Sequence, residues 1–456
     1  MNALIVTAVL GVMMMFSSIV LKRNSAIRML AIVGLLFTFI ANVLDSSGVH
    51  FFSINIKGMM HFDQFAYFFI SISIFCTFIF FLLSAKEMER IGVNYSEYFA
   101  LIFFILCGII LVASFTSLLI LFLGIEIISI PLYILTGSDK KNLKSNEASL
   151  KYFLLGAFST GIMLMGIALF YGSTGSFSVE NSVVIAATTS PMLLIGILLL
   201  LFSMSFKVSA APFHFWAPDV YDGAPTVFTS FMATIVKAAA FIAFIRLFSL
   251  AFTPLQDRWQ LIVAVIIALT LFVGNITAVF QQSVKRMLAY SSIAQSGFML
   301  MALLAFNTFS VEGILLYIVA YSISTMGIFS VLVKMKDSSL EEFNGFAKHQ
   351  PVLAVALTVF LLSLAGIPLT AGFLSKFYML KAVMHSGNFL WLIIFAVLMA
   401  AVSVYYYFRI IQVMFFKESD SNTIIVSTSF KWLLSALAII IIVLGVYPQL
   451  LLQFLV

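Results

Sequence analysis

Apolar runs of about twenty residues follow one another along the whole chain, separated by short stretches that carry most of the charge. As an α-helix rising 1.5 Å per residue, such a run covers about 30 Å of hydrocarbon. The pattern predicts fourteen spanning helices, over residues 3–21, 27–44, 62–84, 97–113, 117–137, 148–170, 191–216, 225–249, 259–280, 285–305, 311–334, 351–382, 389–416 and 430–454. The boundary between the fourth and fifth is the narrowest, because residues 95–137 are almost continuously apolar and only Ser114-Phe115-Thr116-Ser117 offers a turn. In the first run the charges Lys22 and Arg23 follow the apolar stretch instead of preceding it, the reverse of a secretory signal.

Composition agrees with this pattern. At 63% hydrophobic, 15% aromatic and only 9% charged residues over 456 positions, the chain is too apolar for one water-soluble core, and the expected class is an all-α polytopic membrane protein. A net charge of +6 does not point to nucleic acid, since the basic residues are scattered through short loops with no block of like charge. Sorting the 24 Lys and Arg residues places fifteen in odd-numbered loops and only Lys57, Arg258 and Lys381 in even-numbered ones. Basic residues collect on the cytoplasmic side, so both termini are expected on the non-cytoplasmic side of the membrane. Cys76 and Cys107 lie inside apolar runs without a CxxC spacing, which reads as buried structural thiols and indicates neither a disulfide framework nor a thiolate metal site.

Six basic residues remain, inside or at the edges of the helices: Lys151, Lys207, Lys237, Arg246, Lys376 and Arg409. Arg246 and Arg409 are near helix ends and are expected to snorkel to the interface. Lys151 follows Glu147 by four residues, the favourable order for a pair on one helical face; a helix-start ion pair and a proton entry both fit. Lys207, Lys237, Lys376 and Glu126 are deeper. A charge at the centre of a spanning helix costs about 2.5 to 3.5 kcal/mol on insertion scales, so such groups usually line an ion or proton path. Two segments are also interrupted, the seventh at Ser209-Ala210-Ala211-Pro212 and the twelfth at Gly366-Ile367-Pro368-Leu369-Thr370. Proline removes a backbone bond, and paired breaks five helices apart, each beside a lysine, point to an inverted-repeat transporter with sites near the midplane. An amine between low-dielectric walls gives up its proton more readily, and a nearby carboxylate opposes this, so moving or neutralising the carboxylate releases the proton. Glu126 is the expected modulator, Lys207 the switchable amine and Lys237 the next carrier. His214, across the first break, reads equally as a bridge between carriers or as a packing residue.

Four stretches carry a resemblance: FKVSAAPFHFWAPDVYDGAPT, FMATIVKAAAFIAFIRL, GNITAVFQQSVKRMLAYSSIAQSGFML and AGIPLTAGFLSKFYML. They resemble the N subunit of bacterial NADH:quinone oxidoreductase, respiratory complex I, an antiporter-like family related to the large subunits of multisubunit sodium/proton antiporters. The resemblance runs from about Glu97 to Arg409, and the DVYDGAPT and GFLSKFY runs favour the N subunit over its antiporter relatives. It implies two inverted five-helix repeats, helices 4–8 and 9–13, with helices 7 and 12 broken. The corresponding division is an N-terminal three-helix segment 1–94, repeats at 95–250 and 251–418, and a C-terminal helix in 419–456. Carried over by motif, Glu126, Lys207, Lys237 and Lys376 form a proton relay, Glu147 and Lys151 match a pair near the cytoplasmic entry, and His214 matches the histidine between two lysine sites.

The chain shows no GxGxxG after a strand, no cysteine cluster and no convincing haem histidine pair, so no cofactor is expected on it and electron transfer is expected elsewhere. The resemblance places NADH, quinone, FMN and iron–sulfur clusters in other subunits of a hetero-oligomer, with this chain contributing ion translocation coupled to them. Two other readings stand beside this one: a subunit of a cation/proton antiporter without redox partners, and a structural subunit whose charges hold helices together.

Overall fold

Backbone N–H and C=O groups inside hydrocarbon have to be paired within the protein, and helices achieve this segment by segment. The computed structural model of the chain describes residues 1–52, 58–92, 95–180, 190–418 and 426–455. Lys57, one of the three basic residues expected in even-numbered loops, lies outside the described residues. Lys381, another of the three, is within a helix.

The helices are α1 Asn2–Val20, α2 Asn24–Ser46, α3 Gln64–Ser84, α4 Tyr95–Ser114, α5 Leu118–Thr136, α6 Leu143–Thr174, α7 Pro191–Lys207, α8 Trp216–Gly223, α9 Thr226–Phe231 and α10 Lys237–Leu247. They continue with α11 Gln256–Val279, α12 Val284–Ala305, α13 Thr308–Leu332, α14 Pro351–Ala365, α15 Ala371–His385, α16 Leu390–Phe416 and α17 Thr428–Val446. Among the described residues, 11 helical runs are long and apolar enough to cross a membrane, with Pro191–Lys207 and Pro351–Ala365 as shorter apolar helices. One of the 11, the 54-residue run Thr226–Val279, holds two helices separated at Thr253–Leu255, and each shorter helix opens an interrupted segment. Counted this way, the fourteen expected segments are present. A π-helical turn, Met232–Val236, joins α9 to α10, and a second, Phe248–Phe252, follows α10.

The narrow boundary between α4 and α5 is a true break. Phe115 pairs with Met60 and Ser117 with Ser178 as short antiparallel bridges, and the Thr116 N–H donates to the Met59 carbonyl while its own carbonyl accepts from Val179. The backbone groups that helix would have satisfied are thus satisfied from both sides, and the Ser117 side chain accepts from the Leu119 N–H to cap α5. A Cβ at Gly108 would lie 2.7 Å from the Gly124 carbonyl, so α4 and α5 touch backbone to backbone, as small residues permit in membranes.

The chain forms two compact units. One comprises Met1–Val208, Gly223–Phe228 and Ile235–Gln260, the other Ser209–Asp222, Thr229–Thr234 and Leu261–Val456. In the first, Arg246 departs from expectation. It does not snorkel; only 5% exposed, it donates from Nη1 to Asp63 at 2.7 Å, from Nε to the Phe115 carbonyl at 3.2 Å and from Nη2 to the His61 carbonyl at 3.3 Å. Asp63 also caps α3 by accepting from the Ala66 N–H. Replacing Arg246 with glutamine is expected to cost at least about 2 kcal/mol of stability, because charged hydrogen bonds of this kind are lost together. The measurement is the melting temperature and the amount of assembled complex in detergent. Arg409, by contrast, bonds the Gln281 carbonyl and Gln282 at the end of α11, as a boundary residue should. In the second unit α12 and α13 are the central helices, with 94% and 100% of their apolar windows buried against 33% for α16 and 39% for α17.

Candidate functional site

Two deep charges of the first unit, Glu126 and Lys207, meet where α5, α6 and α7 converge. Apolar side chains dominate all three helices, and the polar groups at the convergence are Glu126 and Ser129 from α5, Thr160 from α6 and Lys207 as the last residue of α7. The Thr160 hydroxyl donates to Glu126 Oε1 at 2.8 Å and accepts from Lys207 Nζ at 3.4 Å. A second Lys207 bond, 3.1 Å, goes to Ser129 Oγ on α5. Both hydroxyls also reach carbonyls one turn back on their own helices, Thr160 to Gly156 at 3.0 Å and Ser129 to Ile125 at 2.8 Å. The structure therefore joins Glu126 and Lys207, as the sequence suggested, through a threonine it did not single out.

Beside Lys207 is a cavity of about 30 Å³, lined by Ser129, Tyr152, Val236, Ala239 and Ala240 among others. That volume is enough for at least one water molecule, the minimum being roughly 10 to 15 Å³ on the same measure. Val236 and Ala239 flank Lys237, which opens α10 directly after the π-helical turn and is 2% exposed. Near the start of α6 Lys151 and Glu147 form the expected i, i+4 ion pair at 2.8 Å, with Glu147 well exposed.

In the second unit the break after α7 holds residues 209–215, including the cis Ala211–Pro212 peptide. The Ala211 N–H freed by this irregular backbone donates to Thr270 Oγ1 at 2.9 Å. His214 lies in this turn with its ring buried, packed against Phe215, and its Nδ1 has no hydrogen-bond partner among the described residues. Lys376, on α15, is 6% exposed and turns back onto the end of α14, donating to the carbonyls of Leu364 at 2.8 Å and Ala365 at 3.1 Å. These are the unsatisfied carbonyls of a helix C-terminus, a place that favours a cation. The Phe298 ring covers the same ammonium at 4.9 Å. Gln295 on α12 shares the Leu364 carbonyl at 3.0 Å, donates to the Tyr407 hydroxyl at 3.0 Å and accepts from the Tyr317 hydroxyl. The two lysines beside breaks thus have different neighbours: Lys207 has a carboxylate through one hydroxyl, Lys376 has carbonyl dipoles and a ring face.

A family model described as NADH:quinone oxidoreductase/Mrp antiporter, transmembrane region, matches residues 115–403. NADH-quinone oxidoreductase subunit N of Cytophaga hutchinsonii is 40% identical over 463 aligned residues, covering 99% of both chains. This chain belongs to the subunit N family. Among solved structures, a chain of respiratory complex I from Thermus thermophilus superposes with a TM-score of 0.85 at 31% identity, covering 99% of this chain and 98% of that one. A chain of the Mrp complex from Dietzia superposes with a TM-score of 0.86 at 19% identity over 100% of this chain and 96% of that one, which is a likeness of fold. The span matched by the family model begins at the seam between α4 and α5 and includes Glu126, Glu147, Lys151, Lys207, His214, Lys237 and Lys376. As a subunit N family member the chain has an antiporter-like, all-helical membrane fold and is part of a multisubunit membrane complex.

Proposed function

We propose that Glu126, Lys207, Lys237 and Lys376 carry protons as a relay in this proton-translocating subunit of NADH:quinone oxidoreductase, with Glu147 and Lys151 at its entry and His214 between lysine sites. The observation that carries this reading is the Glu126–Thr160–Lys207 chain, at 2.8 and 3.4 Å, set among apolar helices. Attraction from the Glu126 carboxylate holds the proton on Lys207. When Glu126 is neutralised or drawn away, that hold weakens and the proton can leave toward the water-sized cavity beside α10. Residues 95–250 and 251–418 are the two five-helix repeats, each with its fourth helix broken, in a bacterial inner membrane with both termini on the non-cytoplasmic side. Electrons pass from NADH to quinone through FMN and iron–sulfur clusters in neighbouring subunits.

An antiporter subunit without redox partners has less support, since the likeness to the Mrp chain is at 19% identity and that to the Cytophaga subunit N is at 40%. Glu126→Gln tests the relay. The amide still accepts the Thr160 hydroxyl bond, so assembly is expected to hold, while NADH-driven proton uptake into inside-out membrane vesicles is expected to fall about tenfold or more. Normal uptake at normal assembly would remove Glu126 from the path.

A further inference from the structure

Two hydroxyls contact the Lys207 ammonium, and only one of them leads to Glu126. Ser129 accepts from Lys207 and donates its own hydrogen bond to the Ile125 carbonyl on its own helix, 2.8 Å away. Thr160 accepts from Lys207 and donates to Glu126 Oε1. The cavity beside Lys207 is lined by Lys207, Ser129 and Tyr152 among others, and its lining includes neither Glu126 nor Thr160. Water-sized space thus lies on the α10 side of Lys207, and on the other side the Thr160 hydroxyl bridges Lys207 to Glu126.

We infer that Thr160 is a catalytic residue of the relay, the group through which the proton passes between Lys207 and Glu126. This rests on the relay reading above. In the exchange from Lys207 to Glu126 an Nζ–H bond of Lys207 breaks as a new Oγ1–H bond forms on Thr160, and the original Thr160 O–H breaks as Glu126 Oε1 takes that proton; the reverse exchange reloads Lys207 before its proton leaves toward the cavity. In the first exchange the ammonium becomes a neutral amine, the carboxylate a neutral acid, and Thr160 is unchanged. Its hydroxyl then points the opposite way, toward the amine. Resetting needs a rotation about Cβ–Oγ1, and the Gly156 carbonyl, 3.0 Å from Oγ1, gives the proton an acceptor during that rotation. The side chain is buried, so bulk water does not compete for the hydroxyl. The pair is therefore coupled through a group that can be removed without touching either charge.

The test compares two variants that separate shape from hydroxyl. Thr160→Val keeps the volume and branching and loses the oxygen; Thr160→Ser keeps the oxygen and loses the methyl. A packing role ranks Ser as the worse substitution, a proton-passing role ranks Val as the worse. Intact complex in inside-out vesicles, with assembly read on native gels, is expected to pump about tenfold more slowly with Val and to stay within about twofold of the parent with Ser. Pumping at the parental level with Val, or a larger loss with Ser than with Val, overturns the assignment. Should Val prevent assembly, Thr160→Ala replaces it, since Ala and Ser differ by one oxygen and the same ranking applies. Glu126→Gln and Lys207→Ala measured alongside separate the two claims: if both pump normally the relay itself fails, and if both are impaired while Thr160→Val is normal, only the role of Thr160 fails.

Discussion

Membranes carrying Lys207→Ala are expected to contain normally assembled complex whose NADH-driven proton pumping is lowered by about tenfold or more. The expectation of normal assembly follows from what the ammonium leaves behind. Ser129 and Thr160 lose a donor, but Ser129 keeps the Ile125 carbonyl as the acceptor for its own hydrogen and Thr160 keeps Glu126 Oε1, with the Gly156 carbonyl as an alternative. No buried donor is orphaned, so the large penalty for an unmade hydrogen bond does not arise. The side-chain volume is removed beside a cavity that already accommodates water. The functional loss follows because the amine is the one group bonded toward Glu126 on one side and bordering that cavity on the other. Native gels and vesicle uptake measured on the same membranes decide the matter. Loss of assembly in step with loss of pumping would mean that Lys207 only holds helices together, and pumping at the parental rate would remove it from the path.

A second large effect is expected at Gly372, for a steric reason. A Cβ built there would lie 1.9 Å from the Ser363 carbonyl oxygen and 2.6 Å from its carbon. These are backbone atoms of α14, which cannot turn aside as a side chain can. The contact is where the two halves of the twelfth segment overlap, and the Gly372 N–H also donates to Ser363 Oγ at 3.2 Å. Gly366, at φ +84°, makes the preceding turn, and α17 adds its own close approach, since a Cβ on Gly445 would lie 2.5 Å from the Thr370 carbonyl carbon. Even Gly372→Ala must therefore push α15 away from α14, at a cost of about 3 kcal/mol or more. The Leu364 and Ala365 carbonyls that hold Lys376 lie on the far side of the same overlap, so the displacement reaches them as well. Little or no assembled complex is the expected result on a native gel. A fully assembled, fully pumping Gly372→Ala complex would show that the overlap is not needed.

Much of this was legible in the sequence because a spanning helix declares itself by length and apolarity alone. The breaks were legible too: Pro212 and the Gly366–Thr370 stretch interrupt helix chemistry wherever they stand, and Ser114–Ser117 was enough to separate α4 from α5. Deep charges stand out against apolar runs, so Glu126, Lys207, Lys237 and Lys376 needed only counting. Thr160 and Ser129 gave no such signal. A hydroxyl in a membrane helix usually bonds the carbonyl one turn back, as both of these also do, and nothing in spacing tells which hydroxyl also faces a charge on another helix. The burial of Arg246 is hidden in the sequence for a related reason. Its position near a helix end suggested snorkelling, but its partner Asp63 is 183 residues away, and only the folded chain brings a capping carboxylate and two loop carbonyls to it.

The π-helical turn Met232–Val236 bears on how the chain tolerates changes of length. A π turn is wider than an α turn and takes up one residue more, which makes it the usual mark of a single-residue insertion absorbed within a helix. Each residue of an α-helix advances the direction of its side chain by about 100°. Deleting one residue from this turn would let the helix close to an ordinary pitch and swing Lys237, with all of α10, about a quarter-turn off its present bearing. The direction in which that lysine faces is thus set by a spare residue upstream, and relatives that lack it would have to reach the same bearing from a different phase.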